Sequence, residues 1–315
     1  MISIQDVWDD AKADHEAYVT GRLTDLLNLQ SSDTGYIRSP SLREFINRNL
    51  PHFATGNVQR LRGLIEDATT TCQGLKDREQ REFKSAAKKA FDYSVFCQKT
   101  VIRWSAYKLC ERAKNTICPY CNQAFAFTVV GATGSYRPTL DHFFPKADYP
   151  YLALSLYNLV PSCYVCNSSL KGTTNFFEEH HLHPLEDGNE DEVRFDLVSS
   201  QEDYMFVDLL HDNNLLNQFG ELEPYAHSPE AERSIETFLL KERFAINLPA
   251  IKRFIRLRKK LRPRKLEQYN SFFGEEFKLS ELLQFEPADY KNHMLGKILL
   301  DMYYAFDPRA TGDEE

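Results

Sequence analysis

Long apolar runs are missing from the sequence: no stretch of the ~18 residues that a membrane-spanning helix needs occurs anywhere in the 315-residue chain. The opening residues also lack the basic-then-apolar order of a secretory leader, so the expected location is the cytoplasm, with no membrane partner. Glycine and proline are sparse, at 13 and 14 residues, below the roughly 12% they jointly make up in ordinary sequences. No segment therefore reads as a flexible low-complexity linker. Positive charge is short as well: 38 Lys and Arg face 46 Asp and Glu, for a net charge of -8. A protein that grips DNA by itself ordinarily shows a net basic surface, because affinity comes largely from displacing counterions at phosphates. This chain must concentrate its cations locally or borrow a partner's.

What is present is enough apolar residue, 42%, to pack cores, and a length that suggests two or three modules at ~150 residues each. Residues 1–114 read as helical. Residues 4 to 29 are rich in Asp, Glu, Ala and Leu, and Ser41 with Glu44 has the spacing of a capping box. From Leu75 to Cys118 there is neither Pro nor Gly, and Phe83, Ala87, Phe91 and Val95 recur along one face. That predicts one long helix, or two with a kink. Residues 115–200 change character: aromatic, proline and β-branched residues appear, with GATGS as a loop between two short strands. Residues 201–315 return to helix, with Ser228 and Pro229 as a helix start. A basic amphipathic helix spans 249–265. Between residues 252 and 265 it gathers nine cations and no acid, against 29 basic and 46 acidic residues elsewhere. Lys252, Arg253, Arg256, Lys259 and Lys260 are its candidate phosphate contacts; the plain alternative is a solvated face. The acidic stretch 185–192 reads as a solvated turn, or otherwise as an acidic surface for a partner.

Seven cysteines is an odd number, and a reducing compartment argues against a disulfide framework. Cys72, Cys97 and Cys110 fall in helical sequence and read as small buried apolar residues. The other four form two knuckles, Cys118-Pro-Tyr-Cys121 and Cys163-Tyr-Val-Cys166. Two such turns complete the closed tetrahedral thiolate set of structural zinc, and 41 residues between them leave room for something built in the gap. Buried cysteine pairs or a redox dithiol are the alternatives, but neither accounts for the shared spacing. His180, His181 and His183 are either a second metal cluster or an ordinary turn-and-strand segment.

Between the knuckles runs LDHFFPKADYPYLALSLYNLVPSCYVCNSSLKG. Asp141 and His142 stand together at the end of an expected strand that Pro145 stops. Asn158 follows His142 by sixteen residues, Asn167 follows nine later inside the second knuckle, and Lys171 comes after. This pattern resembles the HNH endonucleases, the ββα-metal or His-Me finger family, over roughly residues 115 to 175. The resemblance implies a mainly α, α+β chain in which helical N- and C-terminal regions flank a zinc-stabilised ββα-metal finger. It implies His142 as general base, Asp141 and Asn167 as ligands of a catalytic Mg²⁺ or Mn²⁺, and Asn158 as the tie that holds the base's loop. Lys171, and with it Lys146, would steady a phosphate. The chemistry is suited to phosphodiester hydrolysis, since a neutral imidazole takes a proton from water and a hard cation prefers oxygen ligands. The wider phrasing around Pro145-Lys146 and Tyr157-Asn158-Leu159 resembles HNH subunits of Septu-type bacterial anti-phage systems, which implies DNA as target and an ATPase partner protein. Cutting both strands would take a homodimer or a second nick. The competing expectation is a catalytically silent, zinc-stabilised nucleic-acid-binding or scaffold subunit; an RNA target stays open.

Overall fold

The computed structural model describes residues 1–100, 102–186, 192–205, 208–209 and 212–305; most of the acidic stretch 185–192 lies outside them. The chain is mainly helical, with three small two-stranded antiparallel sheets among the described residues. It divides into two compact units: an N-terminal one of Ser3–Cys118 with Phe125–Asp187, and a C-terminal one of Gly188–Glu315 with Met1–Ile2 and Pro119–Ala124.

The N-terminal unit begins with α1 (Lys12–Asn28), α2 (Pro40–Thr55), α3 (Val58–Gln73) and α4 (Asp77–Ala90). Helix α2 starts two residues earlier than the Ser41 box suggests. Ser39 is the cap, accepting from Leu42 N at 3.3 Å, because Pro40 supplies the fixed φ suited to the first helical position. Phe45 of α2 is the hub of the core, meeting Phe53 at 5.5 Å, Phe83 of α4 at 5.6 Å and Tyr151 at 5.3 Å between ring centres. Each such ring, wholly withdrawn from water, contributes roughly 1.5–3 kcal/mol relative to exposure.

The expected long helix up to Cys118 is instead three: α4, then α5 (Tyr93–Cys97) and α6 (Ala106–Glu111). Asp92 makes the break by accepting from Ser94 N at 2.8 Å, which caps a new helix. The turn lets Phe91 and Phe96 both go inside, at 1% and 0% exposure, whereas Val95 is only half-buried. The four-residue spacing was real for Phe83, Ala87 and Phe91, but the helix carrying it stops at Ala90. Of the three scattered cysteines Cys110 is buried, and Cys72 and Cys97 are half-buried.

Strands β1 (Val129–Val130) and β2 (Ser135–Tyr136) flank the expected loop. Next come β3 (Thr139–His142) and β4 (Leu159–Ser162), antiparallel with His142 opposite Leu159, and then α7 (Val165–Lys171), wound with π spacing. In the C-terminal unit β5 (Val193–Ser199) pairs with β6 (Gly220–Ala226). Helices α8 (Asn213–Phe219), α9 (Pro229–Thr237), α10 (Leu240–Ile246), α11 (Leu248–Lys260), α12 (Pro263–Phe273), α13 (Leu279–Leu283) and α14 (Gly296–Ala305) complete it. Ser228 caps α9 as its sequence suggests. Among the described residues no helix is long and apolar enough to cross a membrane.

One polar element inside the N-terminal core is His15. Its Nε2–H donates to Leu154 O at 2.7 Å, which leaves Nδ1 to accept from the Trp104 indole N–H at 3.1 Å. The ring is thereby held as the neutral tautomer, and burial pushes its pKa down to about 4. An unfolded chain takes up this proton near pH ~6.5, whereas the folded chain resists it until about pH 4. Stability is therefore full above pH ~6.5 and falls as the pH drops toward 4. Urea unfolding followed through Trp fluorescence should show this slope, and His15→Gln should flatten it by up to about 3 kcal/mol; an unchanged slope would remove His15 from the account.

Candidate functional site

The four knuckle cysteines come together, with every sulfur within 4.8 Å of the others. Thiolates around zinc at ~2.3 Å lie a little under 4 Å apart in a tetrahedron, so the donor set fits a closed structural zinc with small inward movement. Local backbone geometry prepares it. Ile117 bridges Phe125 across the first knuckle, and Asn122, just after Cys121, takes a left-handed φ of 52° that Asn tolerates better than most residues. Among the described residues this is the single group of His, Cys, Asp or Glu arranged to hold a metal. The histidine trio is not a second one. His181 stacks on Phe176 at 3.8 Å and His183 lies on Phe143 at 3.9 Å, both buried among rings.

Strand β3 runs from the first knuckle toward the loop between His142 and Asn158, and β4 returns to the second knuckle and α7. Asp141 and His142 are both withdrawn from solvent, at 3% and 8% exposure. Asn158 is buried completely, and its carboxamide closes the loop. Its Oδ1 accepts from Phe144 N at 2.7 Å, while its Nδ2 donates to Phe144 O and Leu152 O, each at 3.1 Å. A side-chain amide thus replaces the strand partner that Phe144 loses where the ladder stops.

Inside that loop, His142 Nε2 lies 3.0 Å from Ala153 O. A carbonyl can only accept, so Nε2 carries the proton and the lone pair sits on Nδ1, which bonds to nothing among the described residues. Burial first, and the Lys146 ammonium second, push His142 down to about 3, against the opposing pull of the Ala153 hydrogen bond. The ring is neutral at any cellular pH.

Lys171 differs from its expected place. Its ammonium is buried, donating to Asp141 Oδ1 at 2.7 Å and to His142 O at 2.6 Å, and lies 4.9 Å from the centre of the Phe176 ring. A buried carboxylate attracts the nearest cation, and a lysine at the end of α7 is within reach. The place beside Asp141 is therefore a cation position in electrostatic terms. Asn167, on the same helix, is half-buried and its carboxamide bonds to nothing among the described residues. Lys146 is exposed.

The basic segment is less uniform than its composition implies. Ile251, Phe254 and Ile255 are buried as expected, but Lys252 and Arg258 share their side of α11. Lys252 donates to Asn217 O at 3.0 Å, and Arg258 lies 4.8 Å from the Tyr303 ring. Arg256 bonds to Asn217 Oδ1, and Lys259 to Asn213 Oδ1 at 3.1 Å. The expected helix 249–265 is broken after Lys260 by Pro263, which starts α12, so six of the nine cations lie on α11; helical phase turns some of them inward, and Arg253 and Lys260 are the exposed ones among the five candidates.

Sequence reasoning missed Tyr93. Its ring meets the His142 imidazole edge-on at 4.5 Å, and no spacing rule links a residue in α5 to one in β3.

Comparison with known proteins adds little. No family model matches the chain, and no solved structure matches it. It is similar to "Protein ea31" of Escherichia phage lambda, 38% identical over 72 residues, which is 22% of this chain and 21% of that protein. The chain thus matches about a fifth of that relative's length.

Three substitutions separate the metal centre from the loop. Cys166→Ser should lose the metal, from about one zinc per chain by plasma emission to near none, and unfold the knuckles locally. His142→Ala should keep its zinc. Asn158→Ala strands two backbone groups of Phe144 and one of Leu152, and should cost about 2–4 kcal/mol in urea unfolding while zinc is retained. A neutral Asn158→Ala would mean the loop is held by other means.

Proposed function

We propose that this chain is a metal-dependent endonuclease of the HNH type, hydrolysing DNA phosphodiester bonds through Asp141 and His142. The carrying observation is the fixed His142 tautomer: a buried, neutral imidazole whose Nε2–H is tied to Ala153 O and whose Nδ1 lone pair is uncommitted. That is the state a general base needs before it takes a proton from water. The β3–β4–α7 order and the thiolate cluster support the same reading, because they set the acid, the imidazole and the two asparagines on one pinned segment.

In this reading Asn158 shapes the loop so that Nδ1 faces the attacking water. Asp141 and Asn167 are the residues that would hold a Mg²⁺ or Mn²⁺ ion, at the position beside Asp141 where the Lys171 ammonium now lies. Such an ion would supply charge neutralisation at the phosphate and the leaving oxygen. Deep burial makes His142 a weak base at rest. The negative charge of a substrate phosphate would oppose the field of Lys146, the second cause of the lowered pKa, and so raise the basicity of the ring.

The acidic net charge suits a nuclease controlled by a partner, and we place it as the effector of a bacterial anti-phage system working with an ATPase. A second reading has one specific observation in its favour. The Lys171 ammonium already satisfies Asp141, as it would in a zinc-stabilised binding or scaffold subunit that does not cut.

The test is cleavage of supercoiled plasmid with Mg²⁺ or Mn²⁺. Nicking by wild type, reduced at least about 100-fold in His142→Ala with zinc unchanged, is the expected result. Equal activity in both proteins would remove His142 as the base. If neither cuts, alone or with a co-purifying ATPase, the scaffold reading stands.

A further inference from the structure

A cavity of about 350 Å³ adjoins the site inside the N-terminal unit, bounded by the end of α4, the start of α5 and the loop after β3. Lys88, Tyr93, Ser94, Lys146 and Ala153 are among its walls. Three features distinguish it from an ordinary surface dip. Lys88 and Lys146 are both exposed and meet no carboxylate among the described residues, whereas Lys84, one turn earlier on α4, faces Asp148 at 4.0 Å. The acid in the wall, Asp92, is already engaged by Ser94 N at 2.8 Å and Ser94 Oγ at 2.6 Å. And the floor reaches the site, because the Tyr93 ring carries the Lys146 ammonium 4.5 Å from its centre and touches the His142 imidazole, also at 4.5 Å. Ala153 belongs to the cavity wall while its carbonyl holds His142 Nε2.

Two exposed cations beside an acid that is already engaged make a local positive spot in a chain of net charge -8, and such a spot attracts a phosphate. The volume sits at the small end of ligand sites, matching one nucleotide rather than a length of duplex. We propose that this cavity is a phosphate subsite for the nucleotide flanking the scissile bond, with Lys88 and Lys146 as its cations and Tyr93 as a positioning residue that sets the His142 ring. The inference rests on the nuclease reading for its substrate but not for its chemistry, which is recognition of a phosphate monoester or diester beside an aromatic floor. Tyr93 touches the base edge-on and cannot itself exchange a proton usefully there; its hydroxyl is engaged with Cys97. It acts by fixing the ring that would.

The experiment has a binding arm and a kinetic arm, both on the full zinc-loaded chain. In the first, thymidine 3′,5′-bisphosphate is titrated by calorimetry without added Mg²⁺. Wild type should bind, Lys88→Ala with Lys146→Ala should bind at least 10-fold more weakly, and the affinity should fall with added salt. Binding undiminished in the double variant, or no binding by wild type, overturns the subsite. In the second, on a short DNA duplex with Mn²⁺, Lys88→Ala should raise KM several-fold at constant kcat. Tyr93→Leu should lower kcat about 10-fold with KM held, and Tyr93→Phe, which keeps the ring, should restore it. A Tyr93→Phe enzyme as slow as Tyr93→Leu overturns the positioning role, and matched melting curves exclude misfolding as the cause. If the chain, alone or with a co-purifying ATPase, cuts no nucleic acid yet binds the bisphosphate through the two lysines, the nuclease reading fails and the subsite survives.

Discussion

The loop from His142 to Asn158 has to keep one shape without a sheet to hold it, and the buried carboxamide of Asn158 is what allows it to. Strand β3 loses its ladder partner after His142, and Phe144, at full burial, would otherwise face the core with an unmet N–H and C=O. Asn offers both a donor and an acceptor on one planar group, so it can answer a backbone unit as another strand would. Aspartate could not, lacking the donor, and neither could leucine. Its third bond, to Leu152 O, reaches the far side of the loop. The carbonyl that fixes His142 belongs to the next residue, Ala153, so the orientation of the imidazole follows from Asn158 at one remove.

The segment from β3 to α7 is too small to exclude water alone, and the N-terminal helices do that work. Trp8 donates to Leu159 O at 3.0 Å, on the strand that pairs with His142, and His15 reaches Leu154 O inside the loop. Phe45 closes on Tyr151 and Tyr93 on His142. Each contact lands between residues 142 and 159, so residues that look like a separate helical region in the sequence form the wall of the site. Desolvation by these groups is the leading cause of the low His142 pKa. The frame and the chemistry are thus one packing problem.

What could be read from sequence followed from local rules. The knuckles, the doublet at a strand end, the hairpin around GATGS and the Ser228 cap all depend on spacings of two to four residues, where chain geometry leaves few options. The break at Asp92 was hidden because Asp, Tyr and Ser are tolerated within helices, and it took the burial of both Phe91 and Phe96 to choose the cap. The basic helix misled in another way. Composition counts cations, but helical phase turns Lys252 and Arg258 inward against Asn217 and Tyr303. Tyr93 and the cavity around it had no local signal, since they arise only when α5 packs beside β3.

The ion pair between Lys171 and Asp141 links these levels. Both groups are nearly dry, at 2% and 3% side-chain exposure, and removing water from each costs several kcal/mol that their attraction alone does not reliably offset. The balance is improved by a second acceptor, the His142 carbonyl at 2.6 Å, and by the Phe176 ring 4.9 Å away. One ammonium consequently bonds to the acid of the doublet and to the backbone of the imidazole that follows it. A change at Asp141 that moved this ammonium would leave the His142 carbonyl without its donor as well, so charge at the carboxylate and posture of the imidazole are not independent. In a regular strand the two side chains would point apart and act separately; here α7 couples them through the backbone, which is a physical reason for acid and imidazole to be neighbours at the point where the strand ends.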